Sequence, residues 1–376
     1  MKKVNILLLV ALLQVFVVNS TKGQDSTSCD GSCCKRADDL APAGIMVDHV
    51  HEKGKFGIAY GYMNMAMQGS QSGTSAVSNN AVWTNYTVAP DKMNMQMHML
   101  MPMYGITNRL TAMAMINYNI NTMSMDLQPG VNPADVPPCC RAAAIANANQ
   151  PSKMKSSGLG DTKLYLLYNL LGSSCNQRLV IGAGVSLPTG SIDAKGATNV
   201  GSNSLLGYNM QLGSGTYNLL PSIVYTAQLN RFTLGVAFQS NIKLGVNSHN
   251  YILGNEYSFS PWAAYKVASW ASISLRAEGY YMGALYAYDA AINLNASTDP
   301  TANVYNYGSK KLINGLVGIN LYAPKSFLKG LHLLVETGMP AYQNLAGRPF
   351  PTTVIPYQEF QMPTKWTLTA RLQYNF

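Results

Sequence analysis

Along the last twelve residues, Lys365–Phe376 (KWTLTARLQYNF), apolar and polar positions alternate without a break. Trp366, Leu368, Ala370, Leu372, Tyr374 and Phe376 share one face, and Thr367, Thr369, Arg371, Gln373 and Asn375 share the other. A period of two is the side-chain period of a β-strand. Aromatics at both ends of the apolar face mark the interfacial girdles of a membrane strand. The same pattern runs back through the chain. Leu331, Leu333 and Val335 oppose His332 and Glu336; Ile273, Leu275 and Ala277 oppose Ser274, Arg276 and Glu278. Phe232, Leu234, Val236 and Phe238 oppose Thr233, Gln239, Asn241 and Lys243, and Leu164, Leu166, Tyr168 and Leu170 oppose Lys163, Tyr165 and Asn169. Leu179, Ile181, Ala183, Val185 and Leu187 also share a face. Every charge inside these runs falls on the polar face, as it must where a lipid-facing Arg or Lys would cost ~2–4 kcal/mol.

The alternation predicts twelve strands, at 55–68, 91–104, 109–126, 157–170, 178–188, 213–227, 231–246, 255–267, 271–287, 309–322, 331–343 and 364–376. Tight joints alternate with long ones, the asymmetry of short periplasmic turns and longer external loops. The expected fold is all-β: an up-and-down antiparallel transmembrane β-barrel of about 12 strands, both ends of the chain on the periplasmic side.

The first residues, MKKVNILLLVALLQVFVVNSTKGQD, put two lysines before an apolar run and then small and polar residues, the plan of a secretory signal. The expected organisation is a signal peptide over 1–24, a Cys/His-containing periplasmic or plug segment over 25–54, and a barrel over 55–376. Only 11% of the residues are charged, against ~25% in soluble domains. Losing Lys2, Lys3 and Lys22 takes the formal charge from +9 to +6, with no basic run to suit a nucleic acid. The expected location is the outer membrane of a Gram-negative bacterium.

Candidate chemistry is concentrated near the N-terminus. Of 20 methionines, 14 lie from Met46 to Met125 and only five beyond. They include Met63, Met65 and Met67, a run from Met93 to Met103 (MNMQMHMLMPM) with methionine at every second position, and the pairs Met113/Met115 and Met123/Met125. His49 and His51 stand in an H-x-H spacing, His98 interrupts the long run, and Cys29, Cys33 and Cys34 lie upstream. Thioethers, thiolates and imidazoles together favour Cu(I) or Ag(I). The metal-ligand candidates are therefore His49, His51, Met63, Met65, Met67, His98, Met113, Met115, Met123, Met125, Cys29, Cys33 and Cys34. Parity with Arg109, Thr111, Asn117 and Asn119 turns Met113 and Met115 inward, and opposition to Ile58, Tyr60 and Tyr62 does the same for Met63 to Met67. The long run is open. Inward methionines would send Asn94, Gln96 and His98 outward, outward methionines would be lipid-facing filler, and an odd or even count of unpaired residues in the following turn decides. Disulfides are the competing fate of Cys29, Cys33, Cys34, Cys139, Cys140 and Cys175 in an oxidising compartment.

Ser156–Leu170 (SSGLGDTKLYLLYNL), Gly182–Ser191 (GAGVSLPTGS) and the turn Tyr104–Ala112 (YGITNRLTA) resemble the outer-membrane transporter family of the MetA pathway of phenol degradation. The resemblance implies an outer-membrane channel for small organic molecules and carries no catalytic residues. The expected function is a channel or transporter for small solutes, with soft-metal binding or transport in the N-terminal third and a periplasmic metal carrier or efflux partner. The alternatives are an uptake channel for small aromatic or hydrophobic molecules with the methionines facing lipid, and a non-conducting structural barrel. Arg109, Lys163, Arg276, Glu278, Glu336 and Arg371 are expected to line the lumen and tune passage. No nucleophile stands with a positioned His, so an enzyme is not expected.

Overall fold

A computed structural model describes residues 36–130, 152–172, 176–198, 201–296, 298–325, 329–348 and 359–375. Twelve strands of these residues form one closed antiparallel barrel: β1 (Phe56–Gln68), β2 (Val88–Gly105), β3 (Leu110–Leu127), β4 (Ser152–Leu159 and Thr162–Asn169), β5 (Gln177–Leu187) and β6 (Asn218–Leu219 and Ser222–Leu229). They continue as β7 (Phe232–Lys243), β8 (Glu256–Ala268), β9 (Ala271–Met282), β10 (Lys310–Tyr322), β11 (Leu331–Leu345) and β12 (Thr364–Asn375). Each pairs with the next, and β12 closes on β1 with Tyr374 opposite Ile58. Closure leaves no open edge, which a strand fold in lipid requires.

Three strands depart from their expected bounds for local reasons. The strand expected at 213–227 begins at Asn218 and is interrupted at Pro221, which has no N–H for the ladder. The strand expected at 271–287 ends at Met282, and Tyr286–Ala287 pairs instead with Tyr251–Ile252 outside the barrel. The backbones of Gly254 and Gly283 meet there so closely that a Cβ on Gly254 would lie 1.9 Å from the Gly283 carbonyl oxygen. β4 is broken at Gly160–Asp161, where Gly160 N–H donates to Asn117 O (2.9 Å) and Asn117 Nδ2 donates to Asp161 O (3.0 Å).

The outward face carries Ile58, Leu100, Ile116, Leu166, Phe238, Leu275, Val317 and Leu372, all exposed to the surroundings that lipid supplies. Tyrosines rim this band near Phe56 and Tyr104, whose rings lie 4.7 Å apart. Inside, residues 36–51 are mostly buried and run against the inward faces of many strands. Arg178 on β5 and Gln228 on β6 hold Asp39, Thr233 on β7 donates to Asp38 (2.8 Å), and Ser272 on β9 donates to Ala37 O (3.1 Å). Asn320 on β10 donates to Leu40 O (3.3 Å), and Arg371 on β12 donates to Ile45 O (2.9 Å) and Ala41 O (3.2 Å). A non-regular segment in a barrel must have its backbone groups satisfied, and inward polar side chains do that here.

Candidate functional site: a lumen with two unlike walls

One wall is built by β1, β2 and β3. Gly105 pairs with Thr111, leaving five residues in the turn between them. That odd number places the Met93–Met103 run on the same face as Met113, which is opposite it at Met103. The run faces inward: Met93, Met99, Met101 and Met103 are buried, whereas Leu100 and Tyr104 are exposed. The reading of these methionines as lipid-facing filler is thereby corrected. Met63, Met65 and Met67 lie opposite Met97, Met95 and Met93. Met123 and Met125 are buried farther along β3, and Met113 and Met115 are buried near its start. No inward position from Gly57 to Met67, Met93 to Met103, or Thr111 to Met125 is charged. Ten residues of strand carry this wall over ~33 Å of strand length, which at the ~35–45° tilt of a barrel strand spans an apolar band of ~25 Å.

The polar partners of the run point outward. His98 is no part of the methionine surface: its Nδ1 is 2.6 Å from the Tyr60 hydroxyl, and its ring packs 5.2 Å from that of Tyr62. It belongs to an aromatic girdle, the setting in which a polar tip is tolerated. Above it Lys92, Lys153 and Lys155 are exposed on the same outer side, so this part of the wall rises into a polar environment.

The other wall, from β7 to β11, is ionic. Arg276 makes a two-pronged contact with Glu336, Nε to Oε1 and Nη2 to Oε2 both at 2.9 Å, and its Nη1 donates to Glu278 (3.2 Å). Asn314 donates to the other oxygen of Glu278 (2.8 Å), and Gly44 N–H of the lumenal segment donates to Glu336 (2.9 Å). Nearer the outer end Lys243 binds Glu256 (2.7 Å), which also accepts from Asn241 (3.1 Å) and Tyr280 (3.1 Å). Lys163 lies inward on β4 with Glu256 as a charged neighbour. Arg371 is buried against Ala41, Ile45 and Asp48, the last at 3.6 Å. Arg109 is corrected: it sits in the exposed turn before β3, its guanidinium against Gly172 of the neighbouring turn, because the strand begins one residue later at Leu110.

The two histidines of the H-x-H pair meet ring to ring, 5.1 Å apart and edge-on. His49 has both nitrogens engaged: Nδ1 with Asp48 (2.9 Å), and Nε2 with the Gln373 side-chain amide (2.7 Å). His51 Nε2 is buried with no hydrogen-bond partner among the described residues. Burial first, and then His49 beside it, pushes the His51 imidazole down to about 3. Burial opposes ionisation of Asp48, but His49 and Arg371 overcome it and hold the carboxyl well below the usual range. This is the geometry of a packed anchor for the segment. Among the described residues no three His, Cys, Asp or Glu side chains converge as a metal site. Cys29, Cys33, Cys34, Cys139, Cys140 and Cys175, with the signal segment, lie outside the described residues.

The Gly-Leu-Gly-Asp and Leu-Pro-Thr-Gly stretches have a role that their local pattern does not reveal. They meet. Asp161 accepts from Gly190 N–H (3.1 Å), Ser214 N–H (2.9 Å) and Ser214 Oγ (2.6 Å), while Thr189 Oγ1 donates to Gly160 O (2.9 Å). Gly190 and Gly213 touch so tightly that a Cβ on Gly190 would lie 2.7 Å from the Gly213 Cα. This latch brings residues 206–212 over the methionine wall: Asn119 Nδ2 donates to Leu212 O (3.1 Å) and Ser156 Oγ to Met210 O (2.6 Å). Tyr208, Tyr251, Leu285, Ile292 and Val304 form a small outer core beside it. Within that core's neighbourhood burial pushes the Asp299 carboxyl up to about 6, against hydrogen bonds from Thr301.

The family model described as the putative MetA-pathway of phenol degradation matches residues 76–304. Among solved structures, the COG4313 outer membrane channel from Pseudomonas putida F1 is similar at 15% identity over 90% of this chain and 100% of that one, TM-score 0.54. The toluene transporter TbuX of Ralstonia pickettii is similar at 11% identity over 90% of this chain and 94% of that one, TM-score 0.40. No curated protein matches the sequence. The shared architecture is that of Gram-negative outer-membrane barrels.

Proposed function

The chain belongs to the family described as the putative MetA-pathway of phenol degradation, and from that membership and the lining of its lumen we propose that this outer-membrane barrel is a channel for small apolar molecules, aromatics included. The observation that carries the reading is the open middle of the uncharged methionine wall, at Met63, Met65, Met95 and Met97, between a lower part covered by Ile45 and Val47 and an upper part covered by Leu206 and Met210. A thioether is polarizable, turns about three bonds, and gains ~0.3–1.5 kcal/mol against an aromatic ring. Such a surface offers an apolar solute many weak and similar contacts, which permits both entry and exit. Met63, Met65, Met95 and Met97 are only partly buried, so this stretch of wall presents sulfur to the lumen. The facing charges do not oppose the reading, because Arg276, Glu336, Glu278, Lys243 and Glu256 are bound to one another.

The test is uptake by cells whose general porins are deleted. Expression of the barrel is expected to raise entry of a labelled monocyclic aromatic while leaving entry of a monosaccharide unchanged. Faster monosaccharide entry with no gain for the aromatic would overturn the proposal.

A further inference from the structure

The same three strands treat their two faces differently. Apolar outward positions are filled by Ile58, Leu100, Ile116 and tyrosines, with no methionine between Phe56 and Gln68, Met93 and Gly105, or Leu110 and Leu127. Inward apolar positions larger than alanine in the stretches defined above are all methionine. Elsewhere the inward wall uses Leu167, Val180, Val224 and Leu334, so lumenal burial alone does not call for sulfur. Leucine packs as well as methionine and specifies a structure better. The choice is of the atom.

The geometry points to a thioether site for a soft monovalent cation, Cu(I) or Ag(I), at the outer end of this wall. Met67, Met93, Met123 and Met154 are directly opposed on four successive strands. None is more than 9% exposed. Each adjacent pair brings its Cβ atoms to ~4.5–5.5 Å, within reach of convergence for side chains with three rotatable bonds, whereas Met67 and Met154 stand ~14 Å apart across three strand steps; Met93 and Met123 form the centre, and Met67 and Met154 flank it. Two of the sulfurs do converge: Asn209 Nδ2 lies 3.4 Å from Met93 Sδ and 3.6 Å from Met123 Sδ. A single N–H group held between two weak acceptors marks the point a cation would occupy, with Asn209 displaced. Asn209 Oδ1 is buried and has no partner among the described residues, so that displacement costs the fold little. Neutral thioethers select Cu(I) and Ag(I) over Zn²⁺ or Cu(II), which need imidazole, thiolate or carboxylate. The site is independent of which solute crosses the lumen.

The test uses the purified full-length barrel. Ag(I), which needs no reductant, is titrated by equilibrium dialysis, and Cu(I) is titrated anaerobically against a chromophoric chelator. Wild type is compared with Met93→Leu/Met123→Leu and with Met67→Leu/Met154→Leu, near-isosteric changes that keep the apolar volume. All three proteins contain the same six cysteines, so a difference reports the methionines. Heat-modifiable migration verifies that each barrel is closed. Either double variant is expected to bind at least tenfold more weakly or to lose one equivalent, while Met339→Leu, on an outward position of β11, changes nothing. Equal binding by wild type and a closed double variant, or no binding by wild type, would overturn the site and leave the aromatic-uptake test untouched.

Discussion

The wall of β1–β3 and the wall of β7–β11 enclose one lumen and solve the same problem in opposite ways. Both must fill an inward face that lipid does not reach. The first uses side chains with no charge and many rotamers. The second uses full charges fixed in pairs, as where Glu336 meets Arg276 through two 2.9 Å contacts. The lesson is that charged residues in the lumen need not make a polar passage. Pairing consumes Arg276, Glu278, Glu336, Lys243 and Glu256, and the adaptable surface is left to sulfur.

Breaking a pair should have the largest effect. Glu336→Ala takes from buried Arg276 its two-pronged partner, leaving only the 3.2 Å contact to Glu278, and removes the acceptor for Gly44 N–H. Loss of one member of a buried pair costs ~3–5 kcal/mol, and urea unfolding in lipid vesicles should register that loss. A methionine-wall change of similar volume, Met99→Leu, should cost under ~1.5 kcal/mol in the same assay. Equal costs would erase the distinction between the walls.

Acidification separates the two ends of the lumen. His51 is held at about 3, below its ordinary 6.5, so the unfolded segment binds a proton that the packed one refuses. Stability of residues 36–55 is therefore complete well above pH 6.5 and falls as the pH drops toward 3, lying about 2 kcal/mol below its high-pH value at pH 5. Asp299 has the reverse sign. Its folded value of about 6 lies above the ordinary 3.8, so the outer core is firmest below 3.8 and loses that contribution as pH rises through 6. Hydrogen exchange corrected for intrinsic rate should show, from pH 7 to 5, faster opening of 36–55 and slower opening around 298–307. Parallel changes at both ends would contradict these assignments.

The smallest effect belongs to His98. Facing outward against Tyr60, it should lose only a hydrogen bond worth ~0.5–1.5 kcal/mol in His98→Ala. Ag(I) binding should be unchanged. A marked loss of binding would return His98 to the sulfur cluster and put the register of β2 in doubt.

All twelve strands were legible in the sequence because alternation is enforced by lipid on one side and by the lumen on the other. The face of Met93–Met103 was not. Both of its faces are locally plausible, and only the five residues of the turn after Gly105 choose between them. Pairing of Arg276 with Glu336 was hidden for a related reason: the residues lie on β9 and β11, and they meet across β10 only through the registers of both strands with it, Gly318 standing opposite Ser274 and Glu336. Arg109 misled because its parity fitted β3, although the strand starts one residue later. An H-x-H spacing looks the same whether it awaits a metal or is anchored, and the contacts of His49 with Asp48 and Gln373 become visible only in the fold. The Asp161 latch needed two distant motifs to be seen together.

The most direct test of the central claim places a charge on the adaptable wall. Met97, partly open to the lumen and opposite Met63, is changed to Asp and to Leu, and entry of a labelled monocyclic aromatic is measured in cells without general porins. An unpaired carboxylate there costs each apolar contact and draws water to the wall. The account predicts wild-type entry for Met97→Leu and at least a tenfold fall for Met97→Asp with the barrel still closed, tenfold being ~1.4 kcal/mol. Undiminished aromatic entry through Met97→Asp would contradict it.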